Sequence, residues 1–106
     1  MNVREFTEEE VREKFLQHCW VLIDYWENVP NKSMHDKMVG LIFSILVSLD
    51  GESAGLPAFL VAPISRPDDK EFLISKGESW FPENDERLVN CNIAGSLHDL
   101  FLEMDR

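Results

Sequence analysis

Apolar residues recur along this chain at helical spacing in two long stretches. Val11, Phe15, Cys19, Leu22 and Trp26 fall three or four apart, and Leu16, Trp20 and Ile23 widen the stripe, so the spacing predicts a helix over residues 8–28. Thr7 followed by Glu8, Glu9 and Glu10 has the form of a capping box, with acids at the positive end of the helix dipole. Pro30 stops that helix. Ser33, with Asp36 three positions on, caps a second helix that runs to Leu49. There Met34, Met38, Leu41, Ile45 and Leu49 define one face, and Ile42, Phe43, Leu46 and Val47 make the remainder apolar. Ile, Phe and Val also favour strands, but the stretch from its cap to Asp50 and Gly51 is far longer than a strand of five or six residues. It reads as a central scaffold helix, buried by the rest of the chain or by a second copy. Gly40 inside it predicts close approach of another backbone, since glycine costs a helix interior about 1 kcal/mol.

Beyond Gly51 the pattern shortens. Residues 57–64 are apolar and bounded by Pro57 and Pro63, which predicts a strand at a sheet edge. Ser65, Pro67, Asp68 and Asp69 predict a helix start, with Phe72 and Leu73 facing inward and a close at Gly77. Residues 87–93 predict a second strand pairing with the first. Ser96 then caps a last helix in which Leu97, Leu100, Phe101 and Met104 share a face. The expected fold class is α+β. Two long antiparallel helices pack with a short two-stranded antiparallel sheet and two shorter helices, in a single domain over residues 1–106.

Charge narrows the partners. Ten basic residues stand against 20 acidic ones, for a net charge of −10, divided evenly between the two halves of the chain. Phosphate-backbone binding needs a basic face, so direct nucleic-acid binding is not expected. The acidity serves solubility, or alternatively fills the basic groove of a nucleic-acid enzyme. No stretch is long enough to span a membrane and the start has no apolar leader core, so a cytoplasmic location is expected.

Candidate chemistry is sparse. Cys19 and Cys91 form no CxxC pair, and no phosphate-binding glycine motif occurs, so no cofactor is indicated. His18 and Cys19 are adjacent on a helix and diverge by about 100°, which suits no common metal. Ser96, His98 and Asp99 name the members of a hydrolase triad but face different ways within one turn, leaving His98 as a surface histidine. Asp50, Glu52, Asp68 and Asp69 could hold magnesium or calcium if their two turns met. Trp20 and Trp26 lie too far round the helix to share one small core. With Trp80 and Phe81 they are the interface candidates, since aromatics mark the centres of protein interfaces.

Residues 40–51 (Gly-Leu-Ile-Phe-Ser-Ile-Leu-Val-Ser-Leu-Asp-Gly), Leu56-Pro57, the run from Pro67 to Glu71, the run from Gly77 to Trp80 and the run from Gly95 to Phe101 together resemble a family of small bacterial proteins of unknown function associated with phage and prophage genes. The resemblance covers residues 33–101 and implies a cytoplasmic accessory protein. It implies no activity, ligand or catalytic residue. Two function classes follow: a non-enzymatic acidic interaction module, homodimeric through its first two helices, that engages a further protein; and a small metal-dependent hydrolase using the carboxylates near Asp50 and Asp68.

Overall fold

Thr7 starts the first helix as its spacing requires. Its hydroxyl accepts the Glu10 N–H at 3.2 Å, and the Glu10 carboxylate accepts the Thr7 N–H at 2.9 Å, closing the capping box. Arg4 clamps the same carboxylate with two bonds of 2.7 Å and, with the Thr7 amide, holds its pKa down to about 2. The computed structural model describes residues 3–63, 68–80 and 92–104. Within them four helices form: α1 (Glu8–Glu27), α2 (Met34–Leu49), α3 (Asp69–Ser75) and α4 (Leu97–Glu103).

Helices α1 and α2 make an antiparallel hairpin. Ser33 accepts the Asp36 N–H at 3.1 Å to begin α2, and Asn31 takes a left-handed conformation (φ 62°) in the connection. Asn is one of the few side chains that accept that backbone region. The register is fixed by polar contacts. Lys37 Nζ donates to the Glu27 carbonyl at 2.8 Å, the Trp26 indole N–H to Ser44 Oγ at 2.9 Å, and His18 Nε2 lies 2.9 Å from Ser48 Oγ. Gly40 admits a close neighbour, which proves to be a side chain and not a backbone: the Trp26 ring lies flush against it. On the other flank of α2, α4 packs across Phe43, whose ring meets that of His98 edge-on at 5.7 Å. Helix α3 packs on none of the other described helices.

The expected sheet does not form. The described residues contain no strand, so they are all-α, not α+β with a two-stranded antiparallel sheet. Residues 57–63 are extended coil; residues 87–91 of the expected second strand lie outside the described residues, as do residues 65–67 at the expected start of the third helix. The two segments do meet where the pattern placed them. Ile93 N–H donates to the Val61 carbonyl at 2.7 Å, but the Val61 N–H is taken by the Asn92 side chain at 2.7 Å. An amide side chain thus occupies the place of the next ladder bond. Pro57 and Pro63 offer no donors on either side, and a lone hairpin pair is marginal in water.

Nor is α2 a buried scaffold. Its buried residues are Gly40 and Ser48, and no apolar side chain among the described residues is fully buried. No described helix is long and apolar enough to cross a membrane.

Candidate functional site

The densest polar cluster lies at the C-terminal end of α2. Asp50 is the C-cap of that helix, and Gly51 (φ 87°) turns the chain so tightly that a Cβ there would stand 2.6 Å from Ala58 Cβ. The Asp50 carboxylate is wholly inaccessible. It accepts the backbone N–H groups of Gly95 (2.6 Å) and His98 (2.9 Å), together with that of Leu97, and the His98 ring donates to it through Nδ1 at 2.5 Å. Burial alone would raise this carboxyl; the donors from His98, Gly95 and Leu97 outweigh it and hold the pKa near 2. The His98 pKa moves up, driven first by its bond to Asp50, against burial and with help from the charges of Asp99 and Glu52. The other ring nitrogen, Nε2, sits 2.8 Å from Glu52.

This arrangement is chemically closed. With Nδ1 bonded to Asp50 and Nε2 facing Glu52, the ring has no free nitrogen to offer a substrate, and a carboxylate saturated by four donors has little left for a cation. Its work is structural. Ser96, the expected cap of α4, makes no side-chain cap bond, and Asp50 caps that helix from the end of α2 instead. His98, expected at the surface, is buried.

The second cluster lies inside the hairpin. Ser48 is 1% exposed, and its hydroxyl donates to the Ser44 carbonyl at 3.1 Å. With that proton spent, His18 Nε2 must donate to Ser48 Oγ, and a donating nitrogen is no base for a serine nucleophile. Ser53 Oγ lies 3.4 Å from the same nitrogen. Neighbouring Cys19 is half-buried, and burial raises its thiol pKa.

Of the cation candidates, Asp50 and Glu52 meet at His98. Asp68 heads α3, with no side-chain cap bond, and Asp69 follows it in the first turn. Among the described residues no group of three or more His, Cys, Asp or Glu side chains is arranged to hold a metal. Of the aromatic candidates, Trp26 is turned into the hairpin, Trp80 is exposed with Lys70 Nζ 5.4 Å from its ring centre, and Phe81 lies outside the described residues. Trp20 stands on the outer side of α1, 69% exposed.

Trp20 does not stand alone. At about 100° per residue, Leu16, Trp20 and Ile23 lie on average about 120° round α1 from the line that meets α2. Met34, Met38 and Ile42 lie about 120° round α2, in the same rotational sense, from the line that meets α1. Because the helices run antiparallel, equal rotations in one sense carry both stripes to the same side of the hairpin. That side is opposite the one covered by α4. All six side chains are exposed, from 36% to 76%. The sequence pattern grouped Met34 and Met38 with Leu41, Ile45 and Leu49 on one face; only the position of α4 reveals which side of α2 stays open.

No family model, curated protein or solved structure matches this chain.

Proposed function

We propose that this chain is a non-enzymatic protein-interaction module that works through the outer face of the α1/α2 hairpin. The observation that carries the reading is the six-residue apolar face left open by a chain that fully buries no apolar side chain of its own among the described residues. Large exposed apolar surfaces mark protein interaction sites. Its composition fits that role, because Trp and Met are enriched in the cores of interfaces while Lys, Glu and Asp are depleted. The polar clusters support the same reading from the other direction. Asp50, His98, His18 and Ser48 spend their donors and acceptors on holding helices together. The net charge of −10 disfavours nucleic acid as the thing bound.

Site-specific photo-crosslinking in living cells tests this. A benzophenone amino acid in place of Met38 should give a discrete protein adduct, and one in place of the exposed Lys76, the C-cap of α3, should not. Absence of any adduct from Met38, Trp20 and Ile42 alike would sink the reading.

A further inference from the structure

Asp50 precedes Gly51, and nowhere else in the chain does an Asp or Asn stand before a glycine. At such a bond the glycine amide nitrogen attacks the Asp γ-carbon, with no side chain on the glycine to obstruct it. The carboxyl OH and the amide proton leave as water, and a five-membered succinimide closes. Water then reopens the ring at either carbonyl, restoring Asp or giving isoaspartate, whose backbone runs through the former side chain. One water is lost and one regained, so no further reactant is needed. We infer that Asp50-Gly51 is a spontaneous isomerisation site that the docking of α4 holds shut, so that conversion to isoaspartate follows the opening of α4 and makes it permanent. The inference is independent of what the hairpin's apolar face binds.

The guard is visible in the geometry. Asp50 Oδ1 accepts the Gly95 N–H at 2.6 Å, and Oδ2 accepts the His98 N–H at 2.9 Å and the His98 ring. The γ-carbon therefore reaches the Gly51 nitrogen only after bonds from the start of α4 are broken. Ring closure also requires a protonated carboxyl, since an ionised one has no OH to lose as water. Burial would raise this carboxyl, but the donors outweigh it and hold the pKa to about 2, which keeps the reactive form scarce at neutral pH. Every one of those donors belongs to residues 95–98, so lifting α4 removes them together and gives water access to a carboxylate that is otherwise wholly inaccessible. The product cannot close the latch again. Isoaspartate adds a carbon to the backbone of a turn where a Cβ on Gly51 would already stand 2.6 Å from Ala58 Cβ, and its carboxylate sits one carbon nearer the main chain, short of Gly95 and His98.

Ageing the full chain at neutral pH, natively and in guanidinium chloride above its unfolding midpoint, tests this, with electron-transfer fragmentation to tell isoaspartate from aspartate at position 50. Isoaspartate should accumulate in the unfolded chain and form about 10-fold or more slowly in the native one, because the native chain reacts only through its locally opened fraction. No isoaspartate in the unfolded chain removes the site, and equal rates remove the guard. His98→Ala, which deletes the ring bond, should isomerise faster than the wild type under native conditions; an unchanged rate would overturn the part given to α4. If that variant does not fold, the wild type in denaturant below its midpoint takes its place. Isomerisation should then rise ahead of the loss of helical signal, and a rise only in step with global unfolding overturns the same point. The isoaspartyl chain, separated and refolded, should melt below the wild type, and an equal midpoint would show that the latch closes again.

Discussion

Asp50 links the two ends of the hairpin's covered side, and its environment makes its removal measurable. Asp50→Ala deletes the acceptor for three backbone donors and the counter-charge of a buried imidazole, and should cost about 2 kcal/mol or more in a urea melt. Ser96→Ala, at the position where local pattern puts the cap, should stay within about 0.5 kcal/mol, since that hydroxyl makes no cap bond. The pair also fixes a pH dependence. Asp50 is depressed from 3.8 to about 2, so its contribution is complete above 3.8 and is lost as pH falls through about 2. His98 is raised above 6.5, so its contribution is complete below 6.5 and fades as pH rises through the folded value. Wild-type stability followed from about pH 5 to about pH 9 should therefore fall on the alkaline side, and the fall should shrink in Asp50→Ala, which removes the largest of the groups that raise His98. A flat profile in the wild type would show that the ring is not held as an imidazolium. None of this was legible locally: the Asp50 to His98 contact spans 48 positions, and capping signals operate over three or four.

The helices themselves were legible where their signals are local. Thr7 with Glu10, and Ser33 with the Asp36 amide, cap as their spacing demands, and α1 and α2 end within a residue of where Pro30 and Gly51 place them. The strands were not, because residues 57–63 present an apolar run to a neighbour that supplies one backbone bond and a side-chain amide in place of a ladder. Gly40 falls between these cases. Its close neighbour was foreseeable from a glycine inside an apolar helix, but the identity of that neighbour depends on the hairpin register. Register also decides the effect of Gly40→Ala. Helix propensity alone favours alanine by about 1 kcal/mol. The new Cβ, however, would stand 2.7 Å or less from three carbons of the Trp26 ring, which is tethered through its indole N–H to Ser44. Overpacking of this kind costs about 1–3 kcal/mol and outweighs the propensity gain. Gly40→Ala should therefore lower the denaturation midpoint; a rise would mean that the indole moves aside freely.

At the scale of the whole molecule, shape and charge pull in different directions, and their balance gives a test of what covers the open face. The Cα radius of gyration is 17.6 Å, against about 13 Å for a compact chain of about 100 residues, and the thinnest dimension is 20 Å. That is a plate about two helices thick, with apolar surface to spare. Cover by a second copy would thicken the plate and remove that surface from water. It would also bring two bodies of net charge −10 together. Like-charged copies repel over roughly a Debye length, about 10 Å at 0.1 M salt and about 3 Å at 1 M. Association driven by the apolar face and opposed by this repulsion must tighten as salt is added. Docking of a basic partner on the acidic surface would weaken instead, since screening would then remove an attraction. Sedimentation equilibrium in sodium chloride from about 0.05 to about 0.5 M should accordingly show the dimer dissociation constant falling with ionic strength. A constant that rises with salt would place charge pairs, and not Trp20 and its apolar neighbours, at the centre of the contact.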